Sequence, residues 1–172
     1  MNIFDVAYYL LKKAEDSQYA LSVKSLQTML YDLQALHLVN LNEPLFLEDF
    51  QAWVFGPVNR DLYDLLPEPQ DIHGHLTADT VAPFRSSDCL DKADRNFIEG
   101  QLDMVWTSPS VSNSHRDTLR RHLPWKEARR GFDPAERCEN IISKEHMKIF
   151  YSLLWKMQND LFAAGFLEYY SG

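Results

Sequence analysis

The 172-residue chain has only two cysteines, Cys89 and Cys138. They are too few for a disulfide framework and too far apart for a Cys-x-x-Cys metal site. We therefore interpret both as reduced thiols, as expected in the cytoplasm. The first residues, Met1–Asp5, also lack the basic region and the cleavage site of a secretory signal. These absences together predict a cytoplasmic protein.

Long apolar runs and an excess of positive charge are missing as well. No apolar run approaches the roughly 20 residues that a membrane-spanning helix needs, so the sequence predicts no membrane contact. The formal net charge of −8 argues against strong nucleic-acid binding, because such binding depends on neutralising phosphates. A hydrophobic content of 45% and an aromatic content of 13% instead predict a folded protein, which we expect to form one domain over residues 1–172.

The charge is distributed unevenly along the chain. Residues 1–100 carry seven basic and sixteen acidic side chains, whereas residues 101–172 carry ten and nine. Arg116–Arg130 alone holds six basic side chains against two acidic ones. This stretch is either a solvated helix face or a patch for an acidic partner, and the sequence leaves both readings open.

Signatures of catalysis are also missing. The chain has no phosphate-binding loop, no Gly-rich dinucleotide turn, no Gly-x-Ser-x-Gly motif and no carboxylate cluster at metal spacing. His73 and His75 form the only tight histidine pair, and no third zinc ligand is obvious near them. Nothing around Cys138 suggests an activated thiolate. We expect no enzymatic activity, no cofactor and no metal.

What is present is mostly helical periodicity. Asn2 and Ser22 can cap the first two helices, and Ser143 opens the last one, with Met147 and Met157 on its apolar stripe. Further helices are predicted over Asp88–Trp106, ended by Pro109, and from Ser112 or Ser114 to His122. Alternation over Leu45–Phe55 suits a strand, with a possible partner strand near Leu76–Val81. We predict a mainly α fold: a single compact helical domain with a short β-hairpin or strand pair inserted near residues 45–81.

The segment Gln51–Tyr63 contains a sharp bend. An aromatic and β-branched run stops at Gly56-Pro57, and a helical segment, Asn59–Leu66, is predicted to follow. Gly56 can adopt backbone conformations closed to other residues, and Pro57 fixes φ and has no N–H to donate. The bend is either a corner of the core or a presented binding surface, and the sequence does not distinguish the two.

Three stretches of the chain resemble one family. They are the helix Ser22–Ala35, the corner Phe50–Tyr63 with its Ala-Trp-Val-Phe-Gly-Pro-Val run, and His122–Arg130 with its Pro-Trp-Lys-Glu-Ala-Arg run, followed by Ile142-Ser143. In this order they resemble the Panacea domain, the SocA-like antitoxin family that is also found among phage-associated proteins. The resemblance spans Asn2–Tyr151. Thr28 stands where the family pattern has a lysine, and either His115 or His122 corresponds to its late histidine.

The resemblance implies a mainly helical, non-enzymatic antitoxin that binds and neutralises a cognate protein toxin. At least one relative is thought to deliver its toxin to a protease, so a protease is a second implied partner. Two alternatives remain open: a phage-associated orphan interaction protein that docks on a host factor, and a metal-dependent hydrolase that uses His73 and His75.

The candidate partner-binding residues come from the corner and from the Pro-Trp turn. Aromatic residues and arginines anchor many protein interfaces. We expect the partner to contact Trp53, Phe55, Gly56, Pro57, Tyr63, Trp125, Arg129 and Arg130. Core packing is the alternative for Trp53 and Trp125, because large rings stabilise a protein when they are buried. The arginines and the terminal Tyr169-Tyr170 pair are expected to face outward.

Overall fold

The computed structural model describes residues 1–18, 20–67, 70–71, 73–86, 90–107 and 117–163, with side chains except at 103–107 and 160–163. The predicted mainly α fold with an inserted hairpin is confirmed. The elements in chain order are α1 (Ile3–Asp16), α2 (Val23–Leu41), β1 (Gln51–Trp53), β2 (Gly56–Val58), α3 (Arg60–Tyr63), α4 (Ala78–Val81), a 3-10 turn (Ala82–Phe84), α5 (Lys92–Thr107), α6 (Leu123–Ala128) and α7 (Lys144–Ala163).

Helix α2 is the centre of the fold. The Ser22 hydroxyl caps it by accepting a hydrogen bond from Ser25 N at 3.2 Å, as predicted. Its buried residues point in all directions, and it packs against α1, α5, α7 and β2. A helix that is apolar on all sides belongs inside a protein. Neither α2 nor any other helix in the described part of the chain is long and apolar enough to cross a membrane.

Helix α1 begins at the predicted cap. Asn2 Oδ1 accepts from Asp5 N at 3.0 Å, and Asp5 Oδ2 accepts from Asn2 N at 2.9 Å, which is a capping box. The same buried Asp5 carboxylate accepts hydrogen bonds from Ser86 N at 3.1 Å and Ser86 Oγ at 2.6 Å. The cap therefore also ties the start of α1 to the segment that follows α4.

The inserted hairpin is shorter than predicted, and its second strand differs from the predicted one. Antiparallel pairing joins Gln51 to Val58, Ala52 to Pro57 and Trp53 to Gly56. The chain reverses at the two-residue turn Val54-Phe55, and Gly56, the first residue of β2, has a φ of +119° that favours glycine. The predicted strand near Leu76–Val81 is therefore wrong. Its residues Ala78–Val81 form α4 instead, capped by Thr77.

The helical segment after the hairpin also ends earlier than predicted. It spans Arg60–Tyr63 and not Asn59–Leu66. Asn59 is the cap, because its Oδ1 accepts from Leu62 N at 3.0 Å. After Tyr63 the backbone makes turn hydrogen bonds, from Leu65 N to Leu62 O and from Leu66 N to Tyr63 O. Pro57 lies in β2 and not in a first helical turn. The helix therefore begins because Asn59 caps it, and Pro57 has no part in its start.

The predicted positions of α5 and α7 are confirmed in part. Helix α5 begins at Lys92, whereas Asp88, Pro109 and the proposed caps Ser112 and Ser114 lie outside the described residues. Helix α7 begins after Ser143, whose Oγ accepts from His146 N at 3.3 Å. The prediction that Met157 lies on the buried stripe is wrong, because burial falls along α7 from Met147 at 1% exposure to Met157 at 61%.

Two buried glutamines of α2 hold the segment that contains the hairpin. Gln34 Nε2 donates to Phe46 O at 2.9 Å, and its Oε1 accepts from Leu45 N at 2.8 Å. Gln27 Nε2 donates to Asn59 O at 2.9 Å, and its Oε1 accepts from Asn59 N at 2.8 Å. Each side-chain amide thus hydrogen-bonds to buried backbone groups that have no strand partner. Gln34 does so before the hairpin and Gln27 after it.

We expect Gln27→Leu to lower the free energy of unfolding in urea by about 1–3 kcal/mol, because it leaves the buried N–H of Asn59 without its partner and removes one of the two donors to Asn59 O, the other being Tyr63 N. Gln158→Leu is the matched control on an exposed helical position and should change stability by less than about 0.5 kcal/mol. Equal effects of the two substitutions would contradict the role given to Gln27.

Candidate functional site

Three consecutive carbonyl oxygens of the hairpin, at Ala52–Val54, each accept a hydrogen bond from a side chain of the 120–129 region. Arg129 Nη1 donates to Ala52 O at 2.8 Å, Trp125 Nε1 donates to Trp53 O at 3.1 Å, and Arg120 Nη1 donates to Val54 O at 3.1 Å. We call these three side chains the carbonyl clamp. The corner and the Pro-Trp turn, which the sequence marked separately, are therefore one structural unit.

Arg129 makes the most contacts in the carbonyl clamp. Its Nη2 also donates to Asp133 O at 2.9 Å and to Glu136 O at 2.7 Å, and the guanidinium lies 5.0 Å from the Trp125 ring centroid. The residue is only 5% exposed. The expectation that the Arg129 side chain faces outward is therefore wrong. A planar fork with five donors can satisfy several buried carbonyls together, which is the reason for its burial.

The backbone of the hairpin explains the positions of Gly56 and Pro57. Ala52, which is opposite Pro57, directs its N–H to Asn140 O at 2.9 Å and its carbonyl to Arg129, both away from β2. A proline at such a pair costs the ladder no hydrogen bond. Gly56 and Pro57 are both buried, so they shape the corner without presenting a side chain at its surface. A Cβ on Gly56 would meet nothing within 4 Å, so its positive φ alone accounts for the glycine.

The aromatic side chains of the bend lie next to each other and partly face outward. We call Trp53, Phe55 and Tyr63 the aromatic corner. The Trp53 and Tyr63 rings meet edge to face at 4.8 Å and are half-buried, whereas Phe55 is 54% exposed. Trp53 Nε1 donates to Gln51 Oε1 at 2.7 Å, and Tyr63 OH donates to Gln70 O at 3.3 Å. These hydrogen bonds fix the rings on the outer side of the clamped hairpin.

A cavity of about 490 Å³ opens beside the aromatic corner. This volume lies in the range of ligand pockets. Sequence reasoning missed the residues other than the aromatic ones, because they come from three separate stretches of the chain. The lining residues are Trp53, Val54, Phe55, Arg60, Tyr63, Gln70, Ala135, Arg137 and Cys138.

The other two candidates lie apart from this cavity. Trp125 is half-buried, and its indole N–H is used by the clamp. The Arg130 side chain is 77% exposed and pairs with Glu127, so it faces outward as expected, yet it does not line the cavity. Tyr169 and Tyr170 lie outside the described residues.

Two guanidinium groups give the cavity its charge. Arg60 Nε donates to Asp64 at 2.8 Å, and its Nη1 lies 3.5 Å from Glu139 Oε1. Arg137 Nε donates to the same Glu139 oxygen at 2.8 Å. The hydrogen bond to Asp64 raises the pKa of Arg60, and the guanidinium lies 5.7 Å from the Trp53 ring centroid. Charged planar groups thus border an aromatic surface.

Buried hydroxyls connect the Pro-Trp turn to the centre of the fold. The hydroxyl of Tyr151, on α7, lies 3.1 Å from Nδ1 of His122, which precedes α6. Burial raises the pKa of Tyr31 on α2 and raises that of Tyr151 well above its ordinary value. His122 therefore has a structural place beside the clamp, whereas His115 lies outside the described residues.

The histidine pair lies on an exposed loop. Gly74 O, between His73 and His75, accepts from Val23 N at 2.8 Å, so the loop is tied to the start of α2 by its backbone. In the parts of the chain that the structure describes, no three His, Cys, Asp or Glu residues are grouped so that they could hold a metal ion.

Comparison with known proteins gives one match. A family model described as "Antitoxin SocA-like, Panacea domain" matches residues 26–150, a range that contains most of α2, the hairpin, the cavity and the whole clamp. The resemblance noted in the sequence is confirmed. Neither the curated proteins nor the solved structures yielded a match.

We expect Arg129→Lys to lower the free energy of unfolding by about 2–4 kcal/mol, since one ammonium group cannot reach all the carbonyls that the guanidinium contacts. Arg130→Lys, next to it on the surface, should leave urea unfolding almost unchanged. If both variants unfold like the unmodified protein, Arg129 does not hold the hairpin.

Proposed function

The chain belongs to the SocA-like antitoxin, Panacea-domain family, and from this premise we propose that it is a non-enzymatic antitoxin that binds and neutralises a cognate protein toxin. The aromatic corner is the observation that carries the proposal. Its rings are presented on a hairpin whose backbone is already satisfied by the clamp. A surface that is rigid before binding loses less entropy on association, and exposed rings are frequent anchors of interfaces.

We divide the eight candidate residues into two roles. Trp53, Phe55 and Tyr63 contact the partner, and the exposed Arg130 extends the same interface on the cationic side. Gly56, Pro57, Trp125 and Arg129 act indirectly by fixing the shape of the corner.

The proposal treats residues 1–172 as a single domain. Helix α1 precedes the matched range, yet its apolar residues belong to the same core as those of α2 and α7. Action in the cytoplasm and delivery of the toxin to a protease complete the proposal, and both rest on the sequence and the family resemblance.

A phage-associated orphan protein that docks on a host factor is the main alternative, and it would use the same corner. A hydrolase based on His73 and His75 has less support, because both side chains lie on an exposed loop that is tied down by its backbone. The neighbouring gene separates the first two possibilities.

The test is co-expression of this chain with the product of the adjacent reading frame, scored for growth. We expect the neighbour to arrest growth alone, the chain to restore it, and the two proteins to co-purify. A frameshifted copy of this gene, which makes the RNA without the protein, should give no rescue. Persistent arrest in the presence of abundant, folded protein would contradict the proposal, and a harmless neighbour would favour the orphan role.

A further inference from the structure

The cavity beside the aromatic corner has one wall made of rings. Trp53 and Tyr63 form it through their edge-to-face contact, and the exposed Phe55 stands at its rim. Rings that are held by hydrogen bonds to Gln51 and Gln70 lose little freedom when another ring or a large aliphatic group packs on them. This wall therefore fits an apolar side chain.

The same cavity has a cationic side. Arg60 and Arg137 share a single oxygen of Glu139, and Arg60 Nε also donates to Asp64 at 2.8 Å. Each guanidinium has five N–H donors, more than these carboxylate contacts use. The Arg137 side chain is 76% exposed, and exposed ion pairs contribute only about 0–1 kcal/mol to stability. A carboxylate brought in by a partner can therefore join or replace Glu139 at little cost.

The backbone of the hairpin is not free to add a strand beside β1. Ala52 N donates to Asn140 O at 2.9 Å, and Ile142 N donates to Phe50 O at 2.8 Å, so the segment 140–142 already covers this edge. Recognition here must use side chains and not the strand addition by which many sheets bind peptides. A polyanion is also a poor occupant, since the chain as a whole carries a net charge of −8.

We propose that this cavity binds a segment of the partner protein in which an acidic residue stands next to an aromatic or large aliphatic residue. The apolar side chain packs on Trp53, Phe55 and Tyr63, and the carboxylate binds Arg60 and Arg137. The inference rests on the proposed antitoxin function and specifies the chemistry that its partner presents.

The probe is an array of acetylated octapeptides in four sets on a Gly/Ser background. The sets combine Phe or Ala at one position with Glu or Lys at the next. We expect the purified protein to bind the Phe–Glu set at least about tenfold more tightly than the other three, because each half of the cavity then has its partner. Equal binding of all sets, or preference for the Phe–Lys set, would overturn the proposal, as would binding of a dinucleotide in place of any peptide.

Substitutions in the cavity test whether the side chains named above account for peptide binding. Arg137→Glu and Phe55→Ala change exposed side chains of the cavity, and each should weaken binding of the Phe–Glu peptides by about tenfold or more. Arg95→Glu is the control, because it reverses an exposed arginine on α5 that lies outside both the cavity and the proposed interface, and it should alter binding by less than about twofold. Urea midpoints confirm that all three variants are folded.

The growth assay separates this inference from the function on which it rests. If the unmodified chain rescues growth and both cavity variants rescue it equally well, the toxin binds elsewhere and only the site is wrong. If the unmodified chain itself gives no rescue, the antitoxin function fails, whatever the array shows.

Discussion

A two-stranded hairpin in a helical protein leaves the outer backbone groups of its strands without strand partners, and buried polar groups of this kind must be satisfied in some other way. Here Arg129 satisfies the outward-facing carbonyl of Ala52 and Arg120 that of the turn residue Val54, while Trp125 adds a donor to the carbonyl of Trp53, the residue that pairs with Gly56. The segments on both sides of the hairpin are held by Gln27 and Gln34. The shape of the aromatic corner, the cavity beside it and the place of the Pro-Trp turn all depend on these contacts.

This constraint explains why residues that look like interface anchors are divided between the inside and the outside. The Arg129 guanidinium and the Trp125 indole direct their donors inward to the hairpin, whereas Phe55 and the charged ends of Arg130 and Arg137 remain at the surface. The buried set keeps the corner rigid, and the exposed set can contact another molecule. A binding surface built in this way is organised before its partner arrives.

Much of the fold could be predicted from the sequence, because its signals are local. Asn2, Ser22 and Ser143 cap helices through atoms three residues away, and the bend at Gly56 follows from a backbone conformation that glycine alone adopts easily. Local signals fail over short segments. Ala78–Val81 is too brief for its periodicity to separate a helix from a strand, so the cap at Thr77 decides it.

The candidate site was only partly predictable, for a different reason. Arg129 reaches Ala52 across 77 positions of sequence, and nothing local distinguishes an arginine that binds buried carbonyls from one that faces solvent. Arg60 and Arg137 come together in the folded chain, where both contact Glu139.

Hydrogen exchange of the indole N–H groups tests most directly the central claim that the carbonyl clamp holds the hairpin. Trp125 Nε1–H should exchange only when the whole protein unfolds, far more slowly than that of the exposed Trp155. If the two exchange at the same rate in the native protein, the clamp does not hold the hairpin.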